Sequence, residues 1–188
     1  MNLPNKLTLA RIVMIPVFLA AFYLTQIPCN YLIAFVIFVV ASITDILDGQ
    51  IARKRGLVTD FGVLMDPLAD KILVMAAMIC FLSVELIHGA VVVIILAREF
   101  MVTSIRLVAA GKGDVIAADI WGKIKTILQM IWICAGLLYL ALAGDYMPGW
   151  ILAALLWLFI ILTWAVVAAT VFSGVNYTVK NRRLFADA

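Results

Sequence analysis

Six apolar runs, each near twenty residues long, leave this chain little choice of architecture. They fall near residues 8–25, 31–52, 62–84, 88–109, 120–142 and 148–172, separated by short polar breaks such as "TQIPCN", "RKRGLVTD" and "AGDYMPG". Roughly twenty apolar residues is the length that carries a helix across a bilayer. Within hydrocarbon only helices or closed barrels satisfy their own backbone, and unbroken runs without alternation argue against a barrel. Composition agrees: 66% of the 188 residues are hydrophobic and 13% are charged, far from the balance of a soluble domain. The expected fold is all-α, a polytopic membrane protein with six transmembrane helices in a single domain, 1–188. The short breaks predict that consecutive helices are antiparallel and adjacent. No clean cleavage site follows the first run, so it reads as a retained span and not as a signal peptide.

The basic residues set the orientation. Lys6 and Arg11 open the chain; Arg53, Lys54 and Arg55 follow the second run; Arg106, Lys112, Lys123 and Lys125 flank the fourth break; Lys180, Arg182 and Arg183 follow the sixth. The other three breaks hold no Lys or Arg. This is a positive-inside pattern, with both termini and both basic breaks cytoplasmic in a cell membrane. A net charge of +3 without a basic block gives no sign of a nucleic-acid partner. Cys29, Cys80 and Cys134 are isolated and odd in number. They form neither a disulfide framework nor a thiolate metal site, and read as free buried thiols.

Against this apolar background stands "DILDGQIARKRGLVTDFGVLMDPLAD", residues 45–70. A charge inside a membrane is costly unless paired or hydrated. On helices, Asp45 and Asp48 are i, i+3 neighbours and Asp66 and Asp70 are i, i+4 neighbours, so each pair shares a face. The intervening turn folds the two faces together, and four converging carboxylates demand cations. Oxygen-only ligands favour Mg²⁺, Mn²⁺ or Ca²⁺, and four suffice for two divalent ions, a common device for displacement at phosphorus. Helix capping would account for Asp60 and Asp66. It does not account for Asp45 and Asp48, which lie late in their helix, where the dipole disfavours anions. Asp45, Gly49 and Ala52 form an i, i+4, i+7 stripe with little bulk, a slot suited to a nucleotide diphosphate, with Arg53 next to it as a phosphate partner.

The pattern D-x2-D-G-x2-A-R-x8-G-x3-D-x3-D, here Asp45, Asp48, Gly49, Ala52, Arg53, Gly62, Asp66 and Asp70, resembles the signature of the CDP-alcohol phosphotransferases. The six-span layout with cytoplasmic termini extends the resemblance to most of the chain. It implies a homodimeric membrane enzyme in which an alcohol oxygen attacks the β-phosphorus of a CDP-linked substrate and CMP leaves. It further implies that Asp45, Asp48, Asp66 and Asp70 hold two divalent cations, Mg²⁺ or Mn²⁺, with Asp70 also the general base. The CDP site would comprise Asp45, Gly49, Ala52, Arg53 and Asp66. Lys71 could pair with a carboxylate or play a structural part.

The acceptor should explain the polar residues that remain. Arg98 and Glu99 lie inside the fourth run, and Glu99 shares a face with Arg106 at i+7, which predicts a buried ion pair. "WGKIKT" sets Lys123, Lys125 and Thr126 at a helix start, where the dipole favours a bound anion. Arg106, Lys123 and Lys125 thus suggest a pocket for an acceptor phosphate, or lysines that only anchor the helix at the interface. "PNKLTLAR" adds Thr8 and Arg11. Together with "REFMVTSIR" and "WGKIKT", this opening resembles the phosphatidylglycerophosphate synthase branch, which joins CDP-diacylglycerol to sn-glycerol 3-phosphate. An inositol phosphate, or phosphatidylglycerol as in a cardiolipin synthase, are alternative acceptors for the same chemistry. A divalent-cation transporter fits poorly, because the carboxylates sit at one edge and no inverted repeat is visible. The sixth run carries no charge and reads as scaffold or lipid-facing helix.

Overall fold

The computed structural model describes residues 3–55, 60–111, 119–143 and 147–182, with side chains described from residue 9 onward except 45–55, 60–67 and 70. The described residues form six helices: α1 Leu3–Tyr23, α2 Asn30–Arg55, α3 Asp60–Ser83, α4 Gly89–Gly111, α5 Ile120–Leu142 and α6 Gly149–Lys180. No strand occurs among the described residues. All six follow the apolar runs, but α6 continues eight residues past the expected end at 172 and reaches Lys180. By length and composition α5 and α6 can each cross a membrane. α4 carries three charged residues within its apolar length, Arg98, Glu99 and Arg106.

The helix ends are built locally. Glu85 takes a left-handed φ of 58°, the Leu86 N–H reaches back to the Phe81 carbonyl at 2.9 Å, and the Glu85 N–H reaches Leu82 at 3.1 Å. That is a Schellman closure of α3. At the same end of the bundle the Tyr23 hydroxyl donates to Ser83 Oγ at 3.1 Å, and Asn30 Nδ2 donates to the Phe22 carbonyl at 2.9 Å.

Packing follows the chain only in part. α1 lies along α2, and α5 along α6, as short connections predict. α4, however, packs mainly on α6, and α5 packs against α2. The fourth break therefore separates two helices that meet through a few long side chains instead of a shared seam. The core is aromatic. Phe81, Trp132 and Phe159 are fully buried, with Trp132 and Phe159 stacked at 5.7 Å and Phe81 edge-on to both, at 5.9 and 5.6 Å. Gly136 sits beneath these rings; a Cβ there would lie 2.6 Å from both Phe159 and Phe81. The Trp132 indole N–H is satisfied by Thr163 Oγ1 at 2.8 Å. Outer faces are apolar and open, with Trp150, Trp157 and Trp164 exposed at successive two-turn intervals on α6. None of the three cysteines forms a disulfide, but Cys29 is exposed, contrary to the expectation of burial: it lies at the α1–α2 turn with φ 58°.

Candidate active site

The basic end of the bundle is where the second, fourth and sixth helices finish and the third and fifth begin. A cleft of about 470 Å³ opens there between α3, α4 and α5, lined by Lys71, Arg98, Glu99, Arg106, Asp119 and Lys123 among others. Four cationic side chains thus face two carboxylates. Each carboxylate is already engaged. Glu99 Oε1 accepts from Arg98 Nη1 at 2.9 Å and from Lys125 Nζ at 2.5 Å. Asp119 accepts from Asn176 Nδ2 at 2.7 Å and Lys180 Nζ at 3.1 Å. Among the described residues neither Arg106 nor Lys123 has a carboxylate partner, so the cleft presents uncompensated positive charge.

Side chains from three helices fix the walls. Lys71 Nζ donates to Thr103 Oγ1 at 2.5 Å, and that hydroxyl donates to the Glu99 carbonyl at 2.8 Å. Arg98 Nη2 donates to Ser173 Oγ at 2.5 Å. Arg106 Nε donates to the Tyr177 hydroxyl at 3.2 Å, with its guanidinium carbon 5.6 Å from the same ring, within cation–π range. Arg98 is also hemmed in by two glycines. A Cβ at Gly122 would lie 3.3 Å from Nη2, and one at Gly174 would lie 3.2 Å from Cγ. A second, apolar cavity of about 200 Å³ adjoins the cleft, sharing Lys71, Glu99 and Thr126 and adding Met75, Met78 and Phe100.

The sequence profile of the CDP-alcohol phosphatidyltransferases matches residues 1–172. The chain belongs to that family. This phosphatidyltransferase is 46% identical over 149 residues, 73% of its length and 77% of the relative's, to the CDP-diacylglycerol–glycerol-3-phosphate 3-phosphatidyltransferase of Bacillus subtilis (strain 168). It is 35% identical over 192 residues, 98% of its length and 97% of the relative's, to the protein of that name from Rickettsia felis. To the probable phosphatidylglycerophosphate synthase of Mycobacterium tuberculosis (strain H37Rv) it is 39% identical over 184 residues, 97% of its length and 82% of the relative's.

The expected site residues of the phosphatidyltransferase fall into three groups. Asp45, Asp48, Gly49, Ala52 and Arg53 lie on the last turns of α2, and Asp66 and Asp70 on the first turns of α3. The backbone is helical at all of them, as the i, i+3 and i, i+4 registers require. Their side chains, and that of Thr8, lie outside the described residues. Among the described residues no three His, Cys, Asp or Glu side chains gather as a metal site. Arg106 and Lys123 line the cationic cleft together. Lys125 and Arg11 do not join them: Lys125 is 2% exposed, salt-bridged to Glu99 and borders the apolar cavity. Arg11 is buried on α1, which packs on α2 and α3.

One pairing is corrected. Glu99 bonds Arg98 and Lys125, while Arg106 turns to Tyr177. Two helical turns separate Glu99 from Arg106, about 10.5 Å of rise, and nearer cations on α4 and α5 take the carboxylate first. Ser173, Asn176, Tyr177 and Thr103 are polar site residues that sequence reasoning missed. The first three follow the expected end of the last span, and their i, i+3, i+4 spacing was the only available signal.

Proposed function

We propose that this chain transfers the phosphatidyl group of CDP-diacylglycerol to sn-glycerol 3-phosphate, giving phosphatidylglycerophosphate and CMP. The observation that carries this reading is the cleft in which Arg106 and Lys123 stand without carboxylate partners among the described residues, a cleft that Lys71, the residue after Asp70, also lines. A doubly charged phosphate on the acceptor suits that excess. The relatives named for this reaction support it further.

In this reading the protein forms one domain of six transmembrane helices, with both termini and the basic end facing the cytoplasm of the cell membrane, and works as a homodimer. The open apolar faces and the one-sided distribution of Lys and Arg support that placement. Arg106 and Lys123 hold the acceptor phosphate, with Thr8 from the same expected set, while Lys125 serves the ion pair with Glu99 and Arg11 lies buried on α1. Asp45, Gly49, Ala52, Arg53 and Asp66 hold the cytidine diphosphate. The acceptor hydroxyl oxygen forms a bond to the β-phosphorus, the bond from that phosphorus to the CMP oxygen breaks, and Asp70 takes the hydroxyl proton. The four aspartates, on the last turns of α2 and the first turns of α3, offer only hard oxygen donors, which fits two Mg²⁺ or Mn²⁺ ions. Such ions, when bound, would polarise the diphosphate and neutralise the charge on the departing CMP.

The adjoining apolar cavity gives room for part of a lipid chain beside the polar cleft. CMP release from purified protein should require CDP-diacylglycerol and glycerol 3-phosphate together. Equal release with myo-inositol 1-phosphate or phosphatidylglycerol, and none with glycerol 3-phosphate, would overturn the choice of acceptor.

A further inference from the structure

The last two turns of α6 hold the cationic cleft in shape. Ser173, Asn176, Tyr177 and Lys180 are spaced i, i+3, i+4, i+7, the period of one helix face, and all four bond residues that line that cleft. Ser173 receives Arg98, Tyr177 receives Arg106, and Asn176 and Lys180 occupy the Asp119 carboxylate at the start of α5. Ser173 and Tyr177 are 1% and 3% exposed, so these contacts are packed and not incidental. Gly174 lets the face approach: a side chain there would meet Arg98 and Met101, both at 3.2 Å. Asn181 then closes the helix by donating its Nδ2 to the Tyr177 carbonyl at 2.7 Å.

We infer that this face, with Tyr177 as its centre, is a positioning element for acceptor recognition. A guanidinium carries five N–H donors. Tyr177 takes the Nε–H and its ring lies within cation–π range of the guanidinium, so the terminal nitrogens are set in one orientation for an anion. Asn176 and Lys180 do the complementary work by occupying the Asp119 carboxylate, which lines the cleft with Lys123 and would otherwise repel a phosphate. The stripe begins one residue beyond the stretch matched to the family. A feature serving one acceptor, as distinct from the shared transfer chemistry, is expected in such a position. The inference rests on the reading of the cleft as the acceptor-phosphate site.

The test uses the full chain in detergent–lipid micelles, with CMP release followed while each substrate is varied at saturation of the other. Tyr177→Phe keeps the ring and removes only the hydroxyl acceptor. It should raise KM for glycerol 3-phosphate roughly three- to tenfold, the worth of one hydrogen bond. KM for CDP-diacylglycerol and kcat should stay within about twofold, the split expected when uniform binding is lost. In Arg106→Lys, which has no Nε–H to orient, the same change should add less than it does alone. An unchanged KM for glycerol 3-phosphate, or a parallel loss in both KM values and kcat, would overturn the inference. A second readout works without turnover: inorganic phosphate should raise the melting temperature of the wild type more than that of Tyr177→Phe. If wild type rejects glycerol 3-phosphate but this difference persists, the acceptor assignment fails and the positioning role stands. If the phosphate shifts are equal, the positioning role fails.

Discussion

Replacing Glu99 by glutamine keeps the shape and one acceptor oxygen while removing the charge that holds Arg98 and Lys125. Lys125 is 2% exposed and bonds Glu99 at 2.5 Å. Removing one partner of a buried pair costs about 3–5 kcal/mol, because the other charge stays desolvated. Two features lower that figure here. The Glu99 side chain is 23% exposed, and Lys125 has a further interaction besides Glu99. A loss of about 2–3 kcal/mol follows, a shift of roughly 30- to 150-fold in the unfolding equilibrium. Changing Lys125 to methionine in the same chain removes the more deeply buried of the two charges left without Glu99, and apolar replacements of buried pairs are commonly neutral or stabilising. The double variant Glu99→Gln, Lys125→Met should therefore recover to within about 1 kcal/mol of wild type. Reversible SDS unfolding in micelles, followed by tryptophan fluorescence, measures all four corners of the cycle. A Glu99→Gln protein as stable as wild type would refute the reasoning, as would a double variant no better than the single one.

Asp70→Asn should abolish CMP release while leaving the melting temperature within a few degrees of wild type; substantial residual turnover would remove Asp70 as the base. Chelation with EDTA should stop the reaction, and Mg²⁺ or Mn²⁺ should restore it, whereas activity that survives exhaustive chelation contradicts the carboxylate clamp. Gly136→Ala should destabilise the bundle by about 1–3 kcal/mol through overpacking, since the added methyl meets two buried rings at 2.6 Å. A neutral or stabilising effect in the same SDS assay would mean that Phe81 and Phe159 can move apart.

The apolar runs made five of the six helices legible almost to their ends, because bilayer length and backbone hydrogen bonding leave few alternatives. The Asp45–Asp70 pattern was readable as far as its helical register and the family it marks, since spacing on a helix is a local property. What hydropathy hid was α6 beyond Phe172. Ser173, Asn176, Tyr177 and Lys180 look like the polar close of a span, and only their partners on α4 and α5 reveal a face. The Glu99 pairing failed for a related reason: periodicity ranks neighbours on one helix and is blind to Lys125 arriving from another. Gly122 and Gly174 read as ordinary small residues until Arg98 is seen passing between them. Long-range side-chain choice, unlike helix position, is decided by packing angles that no single stretch encodes.

Helix α6 has 32 residues and so is about 48 Å long, whereas a bilayer's hydrocarbon is about 30 Å thick. Such a helix must tilt or project, and it answers to membrane thickness more than a shorter one would. Its exposed tryptophans lie along one stretch, and its final turns hold Arg98, Arg106 and Asp119. Thickening or thinning the surrounding bilayer would swing the distal end of this lever against α4 and α5. In the proposed six-span arrangement, lipid composition then becomes a mechanical input to the very site that builds a lipid.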